Sequence, residues 1–402
     1  MTRRPPPPHH RFGQPRPAAT PPHATQAPLF SGSAFQPLPA PTGRPPFRLD
    51  LSDIVPEAVR DAKKRGGMSF HMVGDTGGVK DPNPQLLVAR GLERDAAVSG
   101  PYGPPAFFFH LGDVIYFDGQ AAEYVPQFYD PYAHYPLPIL AIPGNHDGDV
   151  FDDGSRTNPL PSLATFTRNF CAAAPGTHSV DAGEATRTAM IQPNVYWTLN
   201  TPFATIVGLY TNVPEGGAVE PDQADWFAGE LRDAPRDRAL IVALHHPVYS
   251  LDTYHSGSKA MAALLDGAAV KAKRRPDAVF TAHVHNYQRF TVVDPHDEGG
   301  GENAGVTPFF VAGQGGYHDL HKVLKLHGQP LVTPYPVPDQ PGVTLERYCD
   351  DRFGFLRLDV SETELAVRAY TVPRPQEAWD QAPKLFDAMR LDWKRRRILH
   401  GS

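Results

Sequence analysis

Cysteine is nearly absent from the 402-residue chain. Only Cys171 and Cys349 occur, so a disulfide framework is excluded and at most one bridge could form. No apolar run approaches 18 residues, which excludes a membrane-spanning helix of ordinary length. The start, MTRRPPPPHHRFGQPRP, lacks the apolar stretch of a secretory leader, so the cytoplasm is the default expectation for location. Excess positive charge is also missing. The net charge is −6 at pH 7, which argues against a globally basic nucleic-acid binder, and no specific nucleic-acid site is evident.

What is plentiful is proline (45), glycine (35) and histidine (18). Fourteen prolines and five arginines, but no acidic residue, fall in residues 1–46. Such a segment has little to bury, and it reads as a disordered, proline-rich basic arm. Docking of a protein partner is the functional alternative to a solvated tail. Residues 47–380 read as one globular catalytic domain. Residues 381–402, ending LDWKRRRILHGS, read as a basic tail, with a solvated helix end preferred over a polyanion contact.

Within the globular part, DIVPEAVRDAKKRG, PDQADWFAGELRDA and SKAMAALLDGAAVKAK read as helices. MSFHMVG, FFFHLG, PILAIPG, ALIVALHHP, DAVFTAHVH and TPFFVAGQGG read as strands. VYWTLN with FATIVGLY, and FGFLRLDV with ELAVRAY, read as strand pairs. Residues 148–193, 295–306 and 325–345 read as loops. Alternating strands and helices, with antiparallel pairs late in the chain, indicate an α/β sandwich with helices outside.

Five apolar strands each end on metal-capable side chains: GDTG at 74–77, GDVIY at 112–116, GNHD at 144–147, LHHP at 244–247 and AHVH at 282–285. Sites in α/β sheets form where strands stop, and a glycine beside each group permits a tight turn. One such dipeptide is usually only a turn, but five are hard to assign to turns. Residues two apart on a strand face the same side, which pairs His283 with His285. Together the fragments offer two carboxylates, a phenol, an amide and three imidazoles, enough for two metal ions sharing a ligand. Two cations about 3.5–4 Å apart can clamp a phosphoryl group and acidify a water. Oxygen donors suit a trivalent ion, and imidazoles suit first-row divalent ions.

In this order and context the motifs resemble those of the calcineurin-like metallophosphoesterases, and within them the purple acid phosphatases, over about residues 68–294. The resemblance implies a four-layer α/β/β/α sandwich with mixed sheets. It also implies that Asp75, Tyr116 and His285 hold one ion, that Asn145, His245 and His283 hold a second, and that Asp113 bridges them. Tyr116 implies Fe(III) as the first ion, with Fe(II), Zn(II) or Mn(II) as the second. Gly77 stands where the broader phosphodiesterase branch carries a histidine, which favours the tyrosinate branch. His146 would contact the phosphate or leaving group, with Asp147 orienting it, and His255 resembles a further substrate-side histidine. His246 is expected behind a ligand, and His71 and His110 in the core. Ala282 replaces a usual glycine. The implied activity is hydrolysis of small phosphate monoesters by a metal-bound hydroxide. A phosphodiesterase acting on nucleotides, cyclic nucleotides or phospholipid head groups is the alternative, and a non-catalytic metal-binding scaffold a further one.

Overall fold

The computed structural model describes residues 37–150, 160–212, 217–293 and 305–399. Two mixed sheets form its centre. In the first, β2 (Gly67–Val73), β3 (Pro105–His110) and β4 (Ile139–Ala141) run parallel. Next to β2 come the antiparallel strands β15 (Gly354–Ser361), β16 (Glu364–Thr371), β17 (Lys384–Asp392) and β18 (Arg397–Ile398).

The second sheet has nine strands. Its middle is parallel: β6 (Ala204–Gly208), β7 (Ala239–Ala243), β8 (Ala278–Thr281) and β10 (Val306–Ala312). One flank adds β5 (Trp197–Asn200) and β1 (Arg48–Asp50). The other adds β9 (Tyr287–Val293), β14 (Val343–Cys349) and β13 (Tyr335–Pro336). A small hairpin, β11 (Lys325–Leu326) with β12 (Gln329–Pro330), stands apart from both sheets.

Side-chain alternation explains the layering. Along β3, Phe107 and Phe109 join the core between the sheets, where they meet Phe70, Ile206, Ile241 and Phe280. Phe108, one step out of phase, packs outward with Leu87, Val88 and Leu92 of α2 (Asn83–Ala96). On the far side, Val207, Leu240, Val242 and Val279 are covered by α5 (Pro221–Asp233) and α6 (Lys259–Ala272). The result is the four-layer α/β/β/α sandwich. Local signals place the helices. α1 (Pro56–Arg65) opens on proline and closes on Gly66 at φ 72°. α6 is capped by the Ser258 side chain, which accepts from Met261 N–H. The described residues also hold two short α-helices, α3 (Asn145–Gly148) and α4 (Ala164–Phe170), two 3-10 turns and a π-turn at Val125–Tyr129.

Several expectations need correction. The tail is not a solvated helix end: β17 and β18 extend the seven-stranded sheet, with Met389, Leu391 and Trp393 buried. Their period-two spacing is a strand signal, and it moves the end of the folded body well past residue 380. Nor does the arm reach residue 46. Gly43 N–H donates to Pro193 O (2.8 Å), and Trp226 Nε1–H donates to Pro46 O (2.7 Å). Residues 1–36 of the expected arm lie outside the described residues. The span 325–345 contains β11, β12, β13 and the start of β14, and the span 148–193 contains α4. Of the loop expected at 295–306, residues 295–304 lie outside the described residues and Val306 opens β10. Cys171 and Cys349 are buried free thiols.

β17 is also tied to the opposite sheet. Asp387 accepts from Arg289 Nε (2.7 Å) and Nη2 (3.1 Å), and from Tyr287 OH (2.8 Å), both on β9. Asp387→Ala leaves a largely buried guanidinium and a phenol without their acceptor. It should cost about 3 kcal/mol in urea denaturation, which a solvated tail residue would not.

Candidate metal centre

All seven candidate ligands meet at one end of the sandwich, where the parallel strands of both sheets stop. β2, β3 and β4 deliver Asp75, Asp113 and Asn145. β7 and β8 deliver His245, His283 and His285. The last three lie beyond the strands, since β7 ends at Ala243 and β8 at Thr281. His283 and His285 therefore do not converge by strand alternation. Asp75, Asp113 and His283 have φ of 56°, 53° and 65°. Side chains adopt this left-handed region at a cost, and such outliers concentrate at functional sites. At the AHVH motif the positive φ belongs to His283 rather than Ala282, so alanine is tolerated there.

The donor atoms form two adjoining groups. In the first, Tyr116 OH lies 3.3 Å from Asp75 Oδ1 and 3.5 Å from His285 Nε2, and Asp75 Oδ1 lies 3.6 Å from His285 Nε2. In the second, Asn145 Oδ1 lies 3.1 Å from His245 Nε2 and 2.9 Å from His283 Nδ1, and Asp113 Oδ2 lies 3.3 Å from His245 Nε2. Asp75 Oδ1 is 3.9 Å from His245 Nε2, so the groups are back to back. Ligands about 2 Å from one cation stand roughly 3–3.5 Å apart, so both groups fit an ion. Asp113, His245 and His283 also bring their ligand atoms within 4.8 Å of one another.

The histidine tautomers are set from behind. His245 Nδ1–H donates to Leu111 O (2.9 Å), and His285 Nδ1–H donates to Asp319 O (3.0 Å). A carbonyl can only accept, so the neutral form of each ring, the form that binds a cation, has its lone pair on Nε2, toward the centre. His110 works similarly: its Nδ1 accepts Gly112 N–H (3.2 Å), so Nε2–H donates to Thr76 Oγ1 (2.8 Å). It sits in the core as expected, but there it joins the GDTG and GDVIY turns. His71 is also a core histidine, between Tyr135 OH and Asp95. His246 packs behind His283, with Nδ1 2.6 Å from Thr211 Oγ1.

Without cations the charge balance falls to protons. Burial, aided by Asp113, pushes the Asp75 carboxyl up to about 8. Burial opposes charge on His245, but Asp113 and Asp75 outweigh it and raise the imidazole to about 9. Asp113 is held below the usual carboxylate range, because His245 and His146 outweigh its burial. Burial holds His283 and His285 well below the usual imidazole value, hence neutral and able to donate a lone pair. The Tyr116 phenol is pushed far above its ordinary value by burial and the nearby carboxylates. It would ionise only against a cation. A donor set of this kind exchanges protons for metal ions.

Two of the three candidate catalytic residues face this centre. The His146 ring packs 4.5 Å from the Tyr116 ring, and its Nδ1–H donates to Phe117 O (2.8 Å). The His255 ring lies 4.6 Å from that of His283. Asp147 braces the turn that carries His146. Its carboxylate accepts from Gly144 N–H (2.8 Å), Val114 N–H (3.1 Å to Oδ1) and Ile115 N–H (3.3 Å). It ties the GNHD turn to the GDVIY loop and is a positioning residue.

Sequence reasoning missed Tyr317, whose ring lies 4.4 Å from Tyr116 and 4.5 Å from His285, and His321, 4.3 Å from His285. It also missed Asp252, which accepts from His255 N–H (2.9 Å) and Asn286 Nδ2 (3.1 Å). The available signal was the glycine-rich end of β10 running into Tyr317 and His321.

The geometry agrees with comparison to known proteins. The family model for Calcineurin-like phosphoesterase matches residues 68–287. Purple acid phosphatase 22 of Arabidopsis thaliana is 31% identical over 163 residues, 38% of this chain and 31% of that protein. Purple acid phosphatase 21 of the same plant is 31% identical over 100 residues, 24% of this chain and 22% of that protein. The chain thus aligns with less than a third of either relative's length. Among solved structures, purple acid phosphatase PPD1 from yellow lupin (Lupinus luteus) seeds superposes over 81% of this chain and 54% of its own, with TM-score 0.53 and 17% identity. That likeness speaks to the fold. With more than half of its residues matched, the chain belongs to the calcineurin-like phosphoesterase family, and the relatives it resembles over part of their length are purple acid phosphatases.

Proposed function

We propose that the protein is a bimetallic hydrolase of small phosphate monoesters. Asp75, Tyr116 and His285 would hold one ion, Asn145, His245 and His283 the other, and Asp113 would bridge them. Fe(III) is assigned to the Tyr116 site, and Fe(II), Zn(II) or Mn(II) to its neighbour. When bound, the two cations supply Lewis acidity to the phosphoryl oxygens and acidify a water. The chain's own residues do the rest. His146, oriented through Phe117 O, directs Nε2 toward the phosphoryl group and stabilises its developing charge. His255 assists departure of the alcohol. Cytoplasmic residence and capture of a protein partner by the proline-rich arm belong to the same proposal.

The observation that carries the reading is the packing of Tyr116. A Cβ at Gly77 would stand 2.5 Å from the Tyr116 ring. The space of a histidine at position 77 is therefore taken by the phenol, which supports a tyrosinate site. Elemental analysis and the visible spectrum of the purified protein test it, alongside rates on p-nitrophenyl phosphate and bis(p-nitrophenyl) phosphate. Two ions per chain including iron, a broad visible band and faster monoester turnover are expected. A colourless zinc or manganese protein that prefers the diester would move the assignment to the phosphodiesterase alternative. A metal-loaded protein that turns over neither ester would favour the scaffold.

A further inference from the structure

Tyr116 must place a rigid phenol to within a few tenths of an ångström, yet it lies in a loop beyond the end of β3 with no strand partner. Gln127 supplies one. Tyr116 N–H donates to Gln127 Oε1 (2.9 Å), and Gln127 Nε2 donates to Tyr116 O (2.9 Å). The amide thus grips the Tyr116 residue at both its backbone polar groups, as a neighbouring strand would. The Gln127 side chain is buried, and Nε2 also donates to Glu123 Oε2 (2.8 Å).

The chain of contacts continues. Gln127 O accepts from Gln85 Nε2 (2.6 Å), and Gln85 Oε1 accepts from Gly78 N–H (3.0 Å). Gly78 follows Asp75 by three residues. Two glutamines therefore couple the turn carrying Asp75 to the loop carrying Tyr116. Gln127 Oε1 also lies 2.4 Å from where a Cβ of residue 77 would stand, so the same amide helps close that position to a side chain.

We infer that Gln127, backed by Gln85, is the positioning residue of the first ion site: it holds Tyr116 and Asp75 at a mutual distance that a cation can bridge. The inference rests on the bimetallic reading. Removing the clasp frees the loop to relax, and the ion shared by Asp75, Tyr116 and His285 is lost first. Asn145, His245 and His283 do not depend on it.

The fold supplies its own control. Gln223 grips Tyr210 in the same manner: Tyr210 N–H donates to Oε1 (2.9 Å), and Nε2 donates to Tyr210 O (2.8 Å). Gln223 is also fully buried, and Tyr210 is not among the ligands. Gln127→Met and Gln223→Met thus remove matched clasps.

The test is ion stoichiometry and chelator competition on the purified, reconstituted full chain, with thermal melting of each variant. Wild type and Gln223→Met should hold two ions. Gln127→Met should release one ion at least about 10-fold more readily, as loss of outer support around a metal typically does. The visible band, where iron is present, should fall with it. Gln127→Glu keeps the acceptor for Tyr116 N–H and should show a smaller loss in the same direction; it is read in place of Gln127→Met if the methionine variant does not fold. Unchanged stoichiometry and affinity in the folded Gln127 variants overturn the inference, and so does equal ion loss in Gln223→Met. A wild-type chain that holds fewer than two ions overturns the bimetallic reading, and the inference falls with it.

Discussion

Asp113→Ala should reduce turnover of p-nitrophenyl phosphate by at least about a thousandfold and strip the protein of bound metal. The side chain is 1% exposed. Its Oδ2 faces His245 Nε2 at 3.3 Å, and its Oδ1 accepts His146 N–H at 2.9 Å. One carboxylate thus joins a proposed ligand of the second ion to the turn that carries His146. Removing it deletes the negative charge that two cations would share. It also removes the acceptor of the part-buried His146 N–H and withdraws the main support for charge on His245. Alanine adds strain of its own, because residue 113 sits at φ 53°. Asparagine accepts that conformation more readily. Asp113→Asn, which keeps an acceptor for His146 N–H, isolates the effect of charge. It should melt near wild type and still be inactive. Steady-state kinetics, elemental analysis and thermal melts read this together, and a metal-replete, active Asp113→Ala enzyme would remove the bridge assignment.

Asp147→Ala should be among the most destabilising single changes in the fold. The carboxylate is 1% exposed and accepts from Gly144, Val114 and Ile115 N–H groups. Its loss leaves three buried donors unpaired, each costing about 1–3 kcal/mol. Partial relaxation of the two loops brings the expected sum to roughly 3–5 kcal/mol. Burial and the neighbouring Asp113 raise this carboxyl to about 7. Asp147→Asn, which keeps one acceptor oxygen, should therefore be milder than alanine. Denaturation of both variants, with kcat in parallel, separates two roles. A tie between loops predicts a lower midpoint together with lost activity. Orientation of His146 predicts lost activity at an unchanged midpoint, and that outcome would restore the original expectation for Asp147.

The candidate centre was legible because its motifs follow short apolar runs bounded by glycine, which read as buried strands. MSFHMVG ends before Asp75, PAFFFH before Asp113 and DAVFT before His283. Glycine marks the turns at 74, 112 and 144. The supports were not legible. Gln127 acts through a backbone 11 residues away, and Gln223 through one 13 residues away. Nothing in composition distinguishes such a glutamine from a solvated one. The brace that Asp147 provides was not legible either, because sequence adjacency points only to His146, whereas the carboxylate also accepts from Gly144 N–H and the His146 ring donates to Phe117 O. α2 escaped notice because its first turn, PNPQ, looks like a loop, although Pro84 lies where a helix tolerates proline. β17 escaped because the basic run Lys394-Arg395-Arg396-Arg397 just beyond it drew attention away from the alternation of Met389, Leu391 and Trp393.

The origin of the ligands has one more consequence. Asp75, Asp113 and Asn145 follow strands of one sheet, and His245, His283 and His285 follow strands of the other. Ions seated among them would act as rivets through the open edge of the sandwich, adding to the hydrogen bonds that already cross it there, such as Gly74 N–H to Ala312 O (2.9 Å) and His283 N–H to Asp75 Oδ2 (2.7 Å). Assembly of the slabs and capture of the ions then become a single linked equilibrium, in which each decade of free metal above its dissociation constant adds about 1.4 kcal/mol per site to the folded state.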